Sequence, residues 1–106
     1  MGITAREKPR RLPDKLLQIR LALGLSQNEM LKYLGLEEVY FRSSISGYEL
    51  GTREPPLPVL LKYAKAAGVF IDVLVDDELG LPQKLTSKSN REQVLKRYRR
   101  TKLAKY

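Results

Sequence analysis

The segment from residue 26 to residue 51 constrains the fold most, because its pattern predicts two short helices joined by a turn. Ser26 is followed three residues later by Glu29, and such a pair can cap the free backbone N–H groups at a helix start. Gly35 and Gly51 stand where a left-handed residue ends a helix. Helices shorter than about 12 to 15 residues are marginal alone in water, so this pair must pack on neighbouring helices.

Those neighbours are predicted on both sides of the pair. A helix is predicted over residues 13–23, because its leading proline is tolerated in a first helical turn. After a proline-rich link, Pro58 can open a further helix, whose apolar stripe ends at Gly68. Residues 69–75 are almost wholly apolar and predict a last, short helix. The sequence therefore predicts an all-α domain of five helices over residues 13–77.

The composition excludes several classes of protein. The 106 residues contain no Cys and no His, which removes disulfides, thiolate or imidazole metal ligands and the commonest nucleophile and base pairs. We therefore expect neither an enzyme nor a metal or other cofactor. No stretch approaches about 18 apolar residues, and the N-terminus lacks the apolar region of a secretory signal. No membrane partner is expected, and the cytoplasm is the default location.

Positive charge is concentrated at the two ends of the chain. The net charge of +8 divides into +3 for residues 1–12, −3 for residues 13–83, and +8 for residues 84–106. Residues 1–12 have no apolar periodicity and predict a basic flexible arm. Residues 78–106 predict a linker followed by a basic tail with a weak helical stripe. Solubilising, disordered ends are the alternative interpretation of both segments.

A series of short motifs follows in a characteristic order between residues 12 and 76. They are Leu23-Gly24-Leu25-Ser26-Gln27, Leu34-Gly35, Ile45-Ser46 with Glu49 and Gly51, Arg53, Pro55-Pro56, Leu60-Leu61 with Ala64, and Ala67-Gly68-Val69. The ordered set resembles the Cro and phage-repressor type of helix-turn-helix regulator, the xenobiotic-response-element family. This resemblance implies a repressor-like DNA-binding domain whose second helix of the pair, the recognition helix, enters the major groove.

The resemblance also implies which side chains contact DNA. Arg42 and Ser43 match positions that read base edges, and Gly47 matches a third reading position but has no side chain to read with. An arginine can hold guanine O6 and N7 in a bidentate pair. The complete set of expected DNA-binding residues is Gln27, Tyr40, Arg42, Ser43, Ser44, Ser46, Thr52 and Arg53.

Two structural roles follow from the same resemblance. Arg20 in the first helix is expected to pair with Glu49 at the end of the recognition helix, with an exposed and weak pair as the alternative. The family often dimerises near its last helix. Phe70, Val73 and Leu74 are therefore candidates for a homodimer interface, with burial in the core as the alternative.

The connection between the paired helices departs from the family pattern. Nine residues separate Gly35 from Ile45, about four more than the family usually has, which is close to one helical turn. The additional residues either lengthen the turn or start the recognition helix one turn early. Phe41 lies one turn before Ile45 and is predicted to be core, which would direct Tyr40 towards DNA.

Together these features predict a sequence-specific transcriptional regulator. The simplest form is a repressor that binds operator DNA as a symmetric homodimer, with recognition helices about 34 Å apart in successive major grooves. The alternative is an antitoxin or protein-interaction module whose basic C-terminal tail binds a protein partner.

The charge distribution generates a first prediction. Deletion of residues 84–106 should weaken binding to every duplex, because this segment carries nine basic residues and one acidic residue. The slope of log K against log salt should flatten by roughly 0.9 for each phosphate that the shortened chain no longer neutralises. Binding titrations of the full and truncated chains over a range of salt concentrations measure both effects. An unchanged slope would place the tail away from DNA.

Overall fold

The computed structural model describes residues 8–83, which form five α-helices and no strand. The helices are α1 (Leu12–Leu23), α2 (Gln27–Tyr33), α3 (Arg42–Leu50), α4 (Leu57–Ala67) and α5 (Ile71–Val75). The predicted all-α architecture of five helices is therefore confirmed. The basic tail at residues 84–106 and the first seven residues of the arm lie outside the described residues. Within residues 8–83, every helix falls short of the length and apolarity needed to cross a bilayer.

Local sequence signals account for the starts and ends of the paired helices. At the start of α2, the backbone N–H of Glu29 donates to Ser26 Oγ at 3.1 Å, and the backbone N–H of Ser26 donates to Glu29 Oε1 at 2.8 Å. The second of these bonds lowers the pKa of Glu29, because it stabilises the charged carboxylate. The helix α3 ends at Gly51, which has a positive φ of 80° that other residues rarely adopt.

A single core joins all five helices. The side chains with no exposed surface include Leu16 and Ile19 of α1, Met30 of α2, Ile45 of α3, Tyr63 of α4 and Leu74 of α5. Full burial of one such apolar side chain contributes roughly 1.5 to 3 kcal/mol. Because every helix contributes at least one of them, the short helices α2, α3 and α5 are stabilised by packing rather than by their own length.

The additional residues before α3 lengthen the turn and leave the recognition helix at its usual start. After Gly35, the backbone N–H of Leu36 donates to Leu31 O at 3.0 Å, and the side chain of Leu36 is buried. The backbone N–H of Tyr40 then donates to Leu36 O at 2.9 Å and closes the turn. The helix α3 begins only at Arg42.

This turn reverses the predicted roles of two aromatic residues. Tyr40, expected to be directed towards DNA, is half-buried and packs against the core. Phe41, expected in the core, has 74% of its surface exposed. The prediction failed because it counted Phe41 as part of the helix, whereas Phe41 is the extended residue that precedes α3.

The last helix corrects one interface candidate. Leu74 is fully buried between α5 and its neighbours α1 and α4, so it belongs to the core of the protomer. Phe70 precedes α5 and is 67% exposed, and Val73 is half-buried. Of the three candidates, Phe70 is therefore the one with a largely free side chain.

Lys15 and Asp77 join the start of α1 to the end of α5, and we call their contacts the clasp. The backbone N–H groups of Arg10 and Arg11 donate to the two carboxylate oxygens of Asp77 at 2.9 and 3.0 Å. These bonds lower the pKa of Asp77, because they stabilise its charged form. Residues 10 and 11, which were predicted to belong to the flexible arm, are therefore held against the domain.

The buried member of the clasp is Lys15, which is only 2% exposed. Its Nζ donates to Val73 O at 2.8 Å and to Asp76 O at 2.9 Å, two carbonyl groups at the C-terminal end of α5. Burial lowers the pKa of Lys15, since it disfavours the charged amine. A positive group at this end of a helix also interacts favourably with its dipole.

Replacement of Lys15 tests the clasp. Lys15→Met should lower the free energy of unfolding by about 1 to 3 kcal/mol, because two carbonyl groups lose their donor. Urea denaturation measures the change. Lys62→Met is the matched control, since Lys62 is exposed on α4 and its replacement should change stability by less than about 0.5 kcal/mol. A Lys15→Met variant as stable as the original chain would contradict the role assigned to these bonds.

Candidate nucleic-acid interface

A buried ion pair fixes the C-terminal end of α3 against α1. Arg20 Nε donates to Glu49 Oε2 at 2.6 Å, and Arg20 Nη2 donates to Glu49 Oε1 at 3.1 Å. Only 14% of the Arg20 side chain and 5% of the Glu49 side chain are exposed. The pair that the resemblance implies is thus present in a partly buried form, and two parallel bonds give it a defined geometry. The hydrogen bonds that Arg20 donates to Glu49 raise the pKa of Arg20, because they stabilise its charged form.

Two further bonds extend this pair to the start of α2. Arg20 Nη1 donates to Leu25 O at 2.9 Å, and Gln27 Nε2 donates to Glu49 Oε1 at 3.1 Å. Gln27 was expected to contact DNA. Its half-buried side chain donates one amide N–H to Glu49, which leaves the second N–H and the carbonyl oxygen for other partners, so the contact with DNA stays a prediction.

The leading end of α3 carries two of the predicted base-reading residues on its surface. Arg42 and Ser43 are exposed in the first turn, whereas Ile45 and Tyr48 are directed into the core. Because the ion pair holds the other end of the helix against α1, the first turn has a defined orientation relative to α1. Ser46 lies half-buried one turn after Arg42, on the same side of the helix.

The structure corrects the placement of Ser44. This residue is only 3% exposed, so its hydroxyl group does not lie on the accessible surface as a DNA contact requires. Arg53 Nη1 donates to Ser44 Oγ in a long hydrogen bond of 3.4 Å. The burial follows from the position of Ser44 next to Ile45 and one turn before Tyr48, both of which are directed into the core.

The segment after α3 returns along that helix. The backbone N–H groups of Thr52 and Arg53 both donate to Gly47 O, at 3.0 and 3.1 Å. A methyl group added to Gly47 would lie 2.9 Å from Cγ and Cδ of Arg53, which is closer than such carbon atoms approach. The stem of the Arg53 side chain therefore lies directly on Gly47.

A surface groove places the N-terminal arm beside this segment. It is lined by Lys8 and Pro9 before α1, Leu12 and Pro13 in its first turn, Tyr48 and Gly51 of α3 and its cap, and residues 52–55. Lys8 and Arg53 are the basic residues that line this groove, and Glu54 is an acidic one. Exposed acidic residues, Glu37 and Glu38, lie in the turn before α3.

The family model described as helix-turn-helix, of the Cro/C1 type, matches residues 16–74. The chain belongs to this family. The match confirms the resemblance inferred from the motifs, and it identifies the protein as a DNA-binding helix-turn-helix regulator of a generally non-enzymatic family. No curated protein and no solved structure gives a significant match to the chain. Within residues 8–83, no three Cys, His, Asp or Glu side chains are grouped as a metal site requires.

The ion pair between Arg20 and Glu49 generates a prediction about stability. Arg20→Met and Glu49→Met should each lower the free energy of unfolding by roughly 3 to 5 kcal/mol, because each leaves a buried charge without its partner. The double variant should lose less than the sum of the two by about 1 to 3 kcal/mol.

Urea denaturation of the four chains measures this coupling. Arg42→Met is the matched control, since Arg42 is an exposed arginine at the opposite end of α3. Its effect should remain below about 0.5 kcal/mol. Additive losses in the double variant would show that Arg20 and Glu49 do not act as a pair.

Proposed function

We propose that this helix-turn-helix regulator is a transcriptional repressor that binds operator DNA as a homodimer, with one α3 in the major groove of each half-site. The observation that carries the proposal is the geometry of α3. Its C-terminal end is fixed by the Arg20–Glu49 pair, while its first turn presents Arg42 and Ser43 on the surface. A helix fixed at one end and exposed at the other suits insertion into a groove.

The proposed contacts with base edges centre on Arg42. Its guanidinium is exposed in the first turn of α3 and has the planar pair of donors that matches guanine O6 and N7. Ser43 is exposed beside it, and Ser46 follows one turn later. Ser44 and Tyr40 are left out of this contact set, because their side chains are turned into the domain.

The proposed phosphate contacts lie at the other end of α3. Thr52 follows this helix and lines the groove that also contains Arg53 and Lys8 of the arm. A cation beside the DNA backbone, such as Lys8, neutralises a phosphate and releases the counterion bound to it, which strengthens binding at low salt. The expected partner of the basic tail, whether DNA or another protein, falls on residues 84–106, outside the described residues.

A homodimer would present two copies of α3 to two half-sites. Phe70 supports an interface near α5, because an aromatic side chain that is 67% exposed gains free energy when a partner covers it. Two-fold symmetry would place the recognition helices about 34 Å apart, which is one turn of DNA. Occupancy of such an operator is sufficient to block transcription.

The experiment that tests the proposal is selection of bound fragments from random duplex DNA, followed by binding assays on single-base variants of the selected site. Arg42→Ala should lower affinity for the selected site by about 1 to 3 kcal/mol and relax the preference at one base position in each half-site. Arg42→Lys is the matched control for charge, since it keeps the cation without the planar fork, and should also relax that preference.

Two results would count against these assignments. An equal loss of affinity by Arg42→Ala on all sequences would make Arg42 a phosphate contact. Failure to select any sequence, or selection of a site without two-fold repetition, would contradict binding of a symmetric operator.

A further inference from the structure

Gly47 is buried at a position where the helix itself would leave it exposed. In α3 it lies four residues after the exposed Ser43 and nearly opposite Ile45, which is fully buried in the core. A residue on that side of the helix belongs to the surface that the proposed function directs towards DNA. Gly47 is nevertheless buried, because the stem of Arg53 lies on it.

Backbone conformation does not explain why glycine occupies this position. Gly47 is not among the glycines with positive φ and lies within the regular part of α3. Glycine inside a helix is less favourable than alanine by roughly 0.5 to 1 kcal/mol. What the missing Cβ provides is space, since a methyl group here would lie 2.9 Å from two carbon atoms of Arg53.

The path of Arg53 brings its charged group to the recognition helix. Its backbone N–H is bonded to Gly47 O at 3.1 Å, its stem lies on Gly47, and its Nη1 donates to Ser44 Oγ at 3.4 Å. The guanidinium therefore lies against the first half of α3, at the helix surface, and not out on the loop. A long side chain held in place before binding loses less conformational entropy when it makes a contact.

We propose that Arg53, seated on Gly47, supplies the third base contact of α3 by binding the O6 and N7 edge of a guanine. Gly47 then acts as a positioning residue, and Arg53 from the following loop makes the base contact expected at its position. This inference rests on the proposed function, because it assumes that α3 enters the major groove. Phosphate oxygens are also acceptors for a guanidinium, so the experiment must separate the two kinds of contact.

The first arm of the experiment is a double-mutant cycle of Gly47→Ala and Arg53→Ala, measured as affinity for the duplex selected by the original chain. Arg53→Ala should weaken binding roughly tenfold to a hundredfold. Gly47→Ala should also weaken binding, because its methyl group displaces Arg53. The variant with both changes should bind no more weakly than Arg53→Ala alone. Thermal unfolding followed by circular dichroism checks that Gly47→Ala keeps the fold, which alanine favours within a helix.

The second arm replaces each guanine of the selected duplex with 7-deazaguanine, which removes the N7 acceptor and leaves the phosphates unchanged. At one guanine in each half-site, this replacement should lower the affinity of the original chain. The same replacement should leave the affinity of Arg53→Ala unchanged. Arg53→Lys should match Arg53→Ala in this loss of discrimination, since its amine lacks the planar fork. This arm does not depend on the folding of any Gly47 variant.

Three results would overturn the inference. An Arg53→Ala loss that is equal on all duplexes, with a salt slope reduced by about one, would assign Arg53 to a phosphate. Additive losses for Gly47→Ala and Arg53→Ala would show that Gly47 does not act through Arg53. Absence of any selected duplex would remove the proposed function as well, and so differs from the first two results, in which selective binding persists.

Discussion

The orientation of α3 depends on one buried carboxylate. Glu49 receives two bonds from Arg20 of α1 and one from Gln27 of α2, so three helices meet at a single group. A negative charge near the C-terminal end of a helix opposes the helix dipole, and the arginine compensates for this. Since a buried charge without its partner is costly, small rotations of α3 that break the pair are strongly disfavoured. The leading end, about 10 Å along the helix axis from Glu49, therefore keeps its direction relative to the body.

The clasp adds a second constraint, at the edges of the region that defines the family. The family match covers residues 16–74, whereas Lys15 and Asp77 lie just outside it on either side. Their bonds join the two ends of the matched region, and Lys15 supplies donors to the final carbonyl groups of α5. A helix of five residues has little stability of its own, so these donors and the buried Leu74 hold it in place. The same contacts fix the chain just after Lys8, next to the groove beside α3.

Local sequence rules were sufficient to predict most of the fold, whereas helix boundaries and contacts between distant residues were harder to predict. The capping pair at Ser26 and the glycine stop at Gly51 depend on residues close in sequence, and both occur as predicted. The pairing of Arg20 with Glu49 came only from the family resemblance, because 29 positions separate the two residues. Tyr40 and Phe41 were assigned to the wrong environments, because Phe41 was counted as helical and instead precedes α3 in an extended conformation. Ser44 was expected at the surface, although it lies one turn before the buried Tyr48 on the same side of α3.

Two different parts of the chain carry charge of opposite sign, the basic ends and the acidic helical body, and they affect DNA binding differently. Residues 13–83 carry a net charge of −3, so the helical body as a whole is repelled by a phosphate backbone, whereas the two ends carry +3 and +8. At physiological salt, charges interact appreciably only within about 8 Å. An acidic body therefore attracts DNA only where basic groups lie at its surface, as Lys8 and Arg53 do in the groove and Arg42 does on α3. Exposed acidic residues, among them Glu37, Glu38 and Glu78, lower the attraction of phosphates to the surface around them. Under the proposed function, the basic ends would increase the affinity for DNA of any sequence. The basic groups around α3 would then favour orientations in which this helix can reach the bases.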